Sequence, residues 1–570
     1  MADCWDAFGS DDDDESDNTE DPAAGTLADS TTPQDLKAAS EISLYLVKTF
    51  LHANSQISVA QRRVGLVQLP VLSDNQDNET NDIQVQVWQD ALKERGFSPV
   101  SVLKFSIEKA SPFTDSSVDP ILHDALIVLS GDTTFDQSTV WEHQKIYRSL
   151  VKGGILLLVV STTGIENEQQ TAPDPAKWMA SSADGIIGLD NGSSSSNSDP
   201  VKVYTDDNRQ ILALQKRLCR IQEKSCRWLS SKHSVAHERT RALEATIPVT
   251  AHECHTSQLT SLSMERAVQR MQQYGYCILP SLLNATECLQ WGHAVLTDLH
   301  QASQLLLQQE GVDIYHPHSS QKDPQSYREL SMREDLRMDL RDGPQLQKLR
   351  GGNNKPIVVK AANNNKDNPP TTNEENPFFR RHPSILEIVQ RTMNPQKGTL
   401  YKGNFGRHNF EGSGPDGSYQ DMRLSAIGGI VSLPGSADQA LHADAPHLFE
   451  TMTLPAHYIN AFTMGCSGED ELVGCTAFVH GSHQIEFTAR YMADEEEDNN
   501  NQVFDFLVRP QLELGDVVLF DCRTLHFGLG NQSQSVERPL LYCNMTHAWF
   551  HDPKNWDNHH PIFPSSDDYQ

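Results

Sequence analysis

"GDVVLFDCRTLHFGLGNQSQSVERPLLYCNMTH", residues 515–547, decides how the second half of this chain is read. Gly515–Asp516 is a turn signal, and the apolar run at 517–520 reads as a buried strand. His526 follows, then a Gly/Asn turn at 528–531. Arg538 comes twelve residues beyond His526, at the head of another apolar strand. Outward from this stretch, short apolar runs bounded by turn residues recur in "SAIGGIVSL", "YINAFTMG" and "TAFVHG". Many short strands with Gly/Pro turns predict a double sheet of the jelly-roll kind.

Upstream lies "ALHADAPHLFE", residues 440–450. Residues i and i+2 of a strand share a face, so His442 and Asp444 reach one metal ion from one strand end. Pro446 has no N–H and tends to end a strand. That places His447 and Glu450 on a different element, and we take neither as a ligand. His-x-Asp alone is a weak signal. With His526 it makes a facial triad that leaves three positions of an octahedral Fe(II) open. Those positions suit a chelating 2-oxo acid and dioxygen. The fork of Arg538 suits the remote carboxylate of 2-oxoglutarate, through two parallel hydrogen bonds that a lysine cannot make.

From about residue 270 to 555 the chain resembles the phytanoyl-CoA dioxygenase family of Fe(II)/2-oxoglutarate-dependent oxygenases. "GYCILPSLLNATEC", "LPGSADQALHAD", "GCTAFVHGSHQ" and "GDVVLFDCRTLHFGLGNQS…RP" follow in the family's order. The resemblance implies His442, Asp444 and His526 as catalytic iron ligands and Arg538 as the anchor of the 2-oxoglutarate co-substrate. It implies a dioxygenase that uses O2 to hydroxylate an organic substrate, releasing succinate and CO2. Related halogenases replace the acid of His-x-Asp, and Asp444 is present here. One departure is Gly528, where some relatives carry a hydroxyl that donates to the co-substrate. The competing reading is a non-enzymatic scaffold built on an oxygenase fold. Of the remaining polar residues, His483 and Asn531 read as turn residues. Asp521 reads as a turn residue or as a partner orienting a ligand. His547, His551, His559 and His560 read as an exposed C-terminal segment.

The first half has a different pattern. Residues 1–40 read as a disordered acidic tail. Its Trp5 and Phe8 form either a docking motif for a protein partner or, the preferred reading, an idle apolar island. Residues 41–205 read as a Rossmann-like α/β domain, with strands in "RVGLVQLPVL", "PVSVLKF", "ALIVLSG" and "ILLLVVS" and helices in "VQVWQDALKERG" and "STVWEHQKIYRSLVKGG". "LVKGGILLLVV" weakly resembles a class I methyltransferase. No Gly-rich nucleotide-binding turn follows an early strand, so the domain is expected to be non-catalytic and to serve structure or partner binding. Residues 206–254 read as a helical linker and 255–570 as the oxygenase domain, with an Asn/Pro-rich mobile loop at 351–377. The expected fold class is thus an α/β N-terminal domain plus an α+β C-terminal domain, whose double-stranded β-helix carries flanking helices.

The whole chain of 570 residues has a formal net charge of −31, which argues against nucleic acid or anionic membrane as partners. Ten scattered cysteines without a CxxC pair indicate neither a zinc ribbon nor a redox motif. With no signal peptide and no long apolar run, an intracellular, cytoplasmic protein without a membrane span is expected. The expected ligand is a small-molecule or acyl substrate, which the sequence does not identify further.

Overall fold

The computed structural model describes residues 37–40, 42, 43, 46, 62–68, 78–97, 100–104, 123–129, 150–161, 186–188, 201–205, 209–216, 218–222, 226–229, 233–316, 326–350, 357–359, 378, 382–394, 421–468, 471–492, 502–552 and 559–563. The acidic tail to residue 36, the Ser-rich stretch at 191–199 and the acidic run at 494–498 lie outside these residues.

In the N-terminal part, β1 (Val64–Gln68), α1 (Asn78–Glu94), β2 (Val100–Lys104), β3 (His123–Leu129) and β4 (Leu150–Ser161) follow in order. Strands β2, β1, β3 and β4 lie side by side and parallel. Helix α1 stops at Gly96, which takes φ +88°, a left-handed conformation that glycine adopts without a Cβ penalty. The turn returns Phe97, whose N–H donates to the Leu92 carbonyl. Trp88, Leu92 and Phe97 then bury against Val64, Leu66, Ile127 and Leu157 of the sheet.

Two expectations fail here. The helix expected to end at the Gly153–Gly154 pair lies outside the described residues up to 149, and from Leu150 the chain is one strand that runs through both glycines. This removes the helix-then-glycine feature behind the methyltransferase resemblance. The helical linker expected over 206–254 is met only in part: Val235–Ala245 and Ala251–Thr256 are helical, but its first described residues are not. After β5 (Ile186–Gly188) and β6 (Val201–Thr205), Arg209–Lys216 forms β7, antiparallel to β4, β5 and β6. Its apolar Ile211, Leu212 and Leu214 fit a helix or a strand by spacing. Pairing with three strands decides for the strand.

The C-terminal part begins with β8 (Arg220–Ile221), α2 (Val235–Ala245), α3 (Ala251–Thr256), α4 (Ser261–Tyr274), β9 (Tyr276–Leu279) and α5 (Ala285–Glu310). The expected cap is present: the Asn284 side chain accepts from the Glu287 N–H at 2.9 Å. Next come β10 (Leu330–Glu334), β11 (Arg337–Leu340), α6 (Pro344–Leu349), β12 (Ile357–Val359), α7 (Pro383–Met393), β13 (Met422–Leu424) and β14 (Gly428–Ser432). Strand β12 lies inside the stretch expected to be a mobile loop, and it pairs with β13. The chain closes with β15 (Tyr458–Met464), β16 (Thr476–Val479), α8 (Ile485–Tyr491), β17 (Leu507–Val508), β18 (Pro510–Gln511), β19 (Val517–Asp521), β20 (His526–Gly528) and β21 (Arg538–His547).

Two antiparallel sheets result. The larger runs β10-β11-β14-β21-β15-β19-β9 and the smaller β17-β16-β20. Side chains alternate across each strand. One set, with Tyr276, Phe462, Phe520 and Tyr542, packs with Phe478 and Val508 of the smaller sheet. The alternate set, with Ala461, Leu519, Leu541 and Cys543, packs with Trp291, Val295 and Leu299 of α5. The larger sheet thus has an aromatic interior facing the smaller one and helices on its back, the arrangement of a jelly roll. Among the described residues, no helix is long and apolar enough to cross a membrane.

Residues 218–254 do not behave as a linker. β8 pairs antiparallel with β18, and Ala242 and Ala245 of α2 enter the interior core. Glu238, fully buried, receives Arg509 Nε at 3.0 Å and Nη2 at 2.8 Å. The N-terminal sheet joins here too. Lys152 is buried and reaches Asp516 Oδ2 at 2.5 Å and Glu513 Oε2 at 3.5 Å. Burial alone would push the Lys152 amine down, but Asp516 and then Glu513 outweigh it and hold it charged. Removing one member of a buried ion pair costs about 3–5 kcal/mol. Glu238→Ala should therefore lower stability by that amount, read from the denaturant midpoint at unchanged slope. A chain begun at 255 should be less stable still, because it loses β8 as well.

Candidate metal centre

The sheet register brings the ligand candidates together. His442 and His526 form an isolated antiparallel bridge: the His442 N–H donates to the His526 carbonyl at 3.0 Å, and the reverse bond is 2.8 Å. The bridge lies beyond β20 on the edge of the smaller sheet, and the two imidazoles are 4.5 Å apart. The Asp444 N–H donates to the Cys522 carbonyl at 2.8 Å, which turns the chain so that its carboxylate meets both rings. Asp444 Oδ1 lies 3.9 Å from His442 Nε2, and Oδ2 lies 3.7 Å from His526 Nε2. One donor atom from each of the three residues fits within 4.8 Å of the others. Among the described residues this is the one such cluster of His, Cys, Asp or Glu.

The tautomers suit a metal. His442 Nδ1 is 2.8 Å from the Ala440 carbonyl, and His526 Nδ1 is 2.9 Å from the Thr524 carbonyl. A carbonyl only accepts, so each Nδ1 carries the hydrogen and each Nε2 keeps a lone pair aimed into the cluster. Asn460 Nδ2 donates to Asp444 Oδ2 at 2.8 Å, which restrains the carboxylate beside the two rings. Sequence reasoning missed Asn460. Its signal is positional: it faces Phe520 and Asn544 on the inner side of the larger sheet. Outer partners of ligands typically contribute 10–100-fold in metal affinity. Asn460→Ala should weaken Fe(II) binding by about 10- to 100-fold, measured by competition with a chelator, while His442 and His526 keep their backbone bridge.

The site is walled on one side and open on the other. Phe520 and Phe478 lie 4.9 and 6.1 Å from the His526 ring. The His442 side chain is 37% exposed, against 5% for His526. The more open side of the cluster is thus the His442 side. The segment after Asp444 exposes Leu448, Phe449 and Met452 to solvent.

Arg538 lies at the start of β21, as expected, and is buried inside the roll. Its Nη1 donates to the Val473 carbonyl at 3.1 Å and its Nη2 to Ser432 Oγ at 2.7 Å. Its Nε is buried without a partner. Burial pushes its guanidinium below the usual value, as expected for a cation with no carboxylate in contact.

The other candidates sort as follows. His447 and Glu450 are outside the cluster, as expected. His483 is a turn residue but a buried one, its Nε2 3.0 Å from the Gln272 carbonyl. Asn531 shapes its turn through bonds to the Ser432 and Val536 carbonyls. Asp521 orients no ligand by direct contact; it is held by Arg523 Nε at 2.9 Å and Nη2 at 2.5 Å. His547 corrects an expectation. It is buried, with Nε2 3.2 Å from the Met393 carbonyl at the end of α7. His551, His559 and His560 are exposed.

Residues upstream of 255 brace the ligand segment. Trp228 Nε1 donates to the Gln439 carbonyl at 3.0 Å, and the Arg227 N–H to Asp438 at 3.0 Å. The Trp228 ring stacks on Phe504 at 5.3 Å.

Residues 271–539 match the family model of phytanoyl-CoA dioxygenase (PhyH). The match takes in all three clustered residues and Arg538. Several solved structures are similar to this chain at low identity. The epimerase SnoN, in complex with Fe3+, alpha ketoglutarate and nogalamycin RO, is 15% identical, with 51% of this chain and 85% of that one covered and a TM-score of 0.28. The non-heme alpha ketoglutarate dependent carbocyclase SnoK from nogalamycin biosynthesis is 17% identical, covering 50% and 84%, with a TM-score of 0.27. AviO1 from Streptomyces viridochromogenes is 13% identical, covering 51% and 99%, with a TM-score of 0.26.

Proposed function

We propose that this protein is an Fe(II)/2-oxoglutarate-dependent dioxygenase that hydroxylates an organic substrate. The observation that carries the reading is the convergence of the His442, Asp444 and His526 donor atoms on one centre. Both imidazoles are held by backbone carbonyls in the tautomer whose Nε2 carries a lone pair. Two nitrogens and one carboxylate on one side of a centre suit a non-heme Fe(II) with open positions. Bound there with 2-oxoglutarate and dioxygen, such an ion would supply the oxidising power for hydroxylation, with succinate and CO2 as co-products.

The protein's own residues do the rest. Asn460 holds the Asp444 carboxylate in place through its Oδ2. Arg538 receives the far carboxylate of the 2-oxo acid in a buried pocket where the charge pair is strong. Phe478 and Phe520 exclude water from the His526 side. The exposed Leu448, Phe449 and Met452 give a small-molecule or acyl substrate an apolar surface at the open side. The unit that carries this chemistry runs from about residue 218, because the brace from Trp228 and the Glu238–Arg509 pair belong to it. The N-terminal α/β part is a non-catalytic support joined through Lys152.

The reading is tested by incubating the full chain with Fe(II), 2-oxoglutarate and O2 and measuring succinate. Slow substrate-free release that needs both the metal and the 2-oxo acid is expected. A panel of small molecules and acyl esters would then be scored for stimulation of that release. Absence of metal-dependent succinate in every condition would refute the reading.

A further inference from the structure

A second buried arginine lies beside Arg538. Arg337 on β11, Ser432 on β14 and Arg538 on β21 are direct partners across three adjacent strands. Residues in one such row point to the same face, here the inner one. Ser432 Oγ accepts from Arg337 Nη1 at 2.9 Å and from Arg538 Nη2 at 2.7 Å. Arg337 Nη2 also spans to the smaller sheet, donating to the Ala437 and Leu529 carbonyls at 2.9 and 3.2 Å. Both guanidiniums are 1% exposed. The Nε of each is buried without a hydrogen-bond partner. Among the described residues the acid within ion-pair distance of Arg337 is Glu334, 3.9 Å from Nε and itself 38% exposed, and Asp438 acts on it from farther away.

Two buried cations bridged by one neutral hydroxyl are costly unless an anion joins them. Burial, and then Arg538, push Arg337 down to about 9. Gly528 belongs to the same arrangement. A Cβ there would overlap Arg337 Nη1 and stand 2.7 Å from Gln439 Oε1. A hydroxyl side chain at 528 is therefore incompatible with Arg337 where it lies, and the missing hydroxyl at this position has a physical reason.

We propose that Arg337 and Arg538 form a two-guanidinium socket, joined by Ser432, for the distal carboxylate of the 2-oxo acid, with Arg337 in the place of the hydroxyl donor that Gly528 cannot supply. The inference rests on the reading of the site as a 2-oxoglutarate site and deepens it. Arg337 is then a co-substrate-binding residue and a determinant of co-substrate choice.

The test is anaerobic calorimetric titration of the Fe(II)-loaded full chain with two ligands. 2-Oxoglutarate carries the distal carboxylate, and 2-oxopentanoate has a methyl group in its place. Losing a hydrogen bond to a charged group should weaken 2-oxoglutarate by about 10- to 100-fold in Arg337→Ala. Affinity for 2-oxopentanoate and for Fe(II) should stay within about threefold of wild type. Arg337→Lys keeps the charge without the fork and should show a smaller loss with the same ligand selectivity; it carries the comparison if Arg337→Ala does not fold. Equal affinity of wild type and variant for 2-oxoglutarate would overturn the proposal. So would an equal loss for both ligands, which marks a structural role through the Ala437 and Leu529 carbonyls. A wild-type chain that binds Fe(II) but neither 2-oxo acid would refute the underlying 2-oxoglutarate reading, a result distinct from either of these.

Discussion

His442→Ala and Asp444→Ala should each abolish stoichiometric Fe(II) binding and 2-oxoglutarate turnover, while His447→Ala leaves both in place. His442 is held opposite His526 by two backbone hydrogen bonds, and Asp444 is placed between the two rings by its bond to Cys522. Removing either would leave two donors for a cation that, on the proposed reading, is held by three. Outer partners alone are worth about 10–100-fold in metal affinity, so the loss from a ligand should exceed about 100-fold. His447 is outside the cluster, and burial pushes its imidazole down rather than toward a charged, carboxylate-paired form. Metal content after gel filtration and succinate release check all three variants. If His447→Ala lost its iron and His442→Ala kept it, the ligand assignment would be wrong.

Arg538→Ala should bind Fe(II) normally and need far more 2-oxoglutarate. The guanidinium is buried and already spends two donors on Val473 and Ser432, which fixes the fork. Its unpartnered Nε faces no protein acceptor. Losing it strands the far carboxylate in a pocket where breaking a charge pair costs about 3–5 kcal/mol, or roughly two to four decades of affinity. Arg538→Lys should recover part of the loss, since an ammonium cannot make paired contacts. Equal affinity for 2-oxoglutarate in wild type and Arg538→Ala, measured by titration without O2, would remove Arg538 from the site.

Much of this site is legible in the sequence because its parts lie in short, ordered segments. The His-x-Asp pair, the second His and the Arg fall on strand ends marked by Gly and Pro turns, and strands β14, β15, β16, β19 and β21 fall on the apolar runs. What is not legible depends on register between distant strands. Arg337 precedes His442 by a long insertion, and only the pairing of β11 with β14 and of β14 with β21 sets it beside Arg538. Asn460 lies in a largely apolar strand that also holds Thr463, and its bond to Asp444 depends on the turn at Cys522. Residues 209–216 carry apolar spacing that suits either secondary structure, and sheet pairing overrides the helical reading. His547 reads as exposed because its neighbours are polar, yet the end of α7 covers it.

The most direct measurement of the central claim is the visible absorption of anaerobic, Fe(II)-loaded protein titrated with 2-oxoglutarate. A 2-oxo acid that chelates Fe(II) through its carboxylate and keto oxygens gives a charge-transfer band that neither component gives alone. The account predicts a saturable band at one equivalent of iron per chain in the wild type and none in Asp444→Ala. A wild-type protein that binds iron but shows no band at saturating 2-oxoglutarate would contradict it.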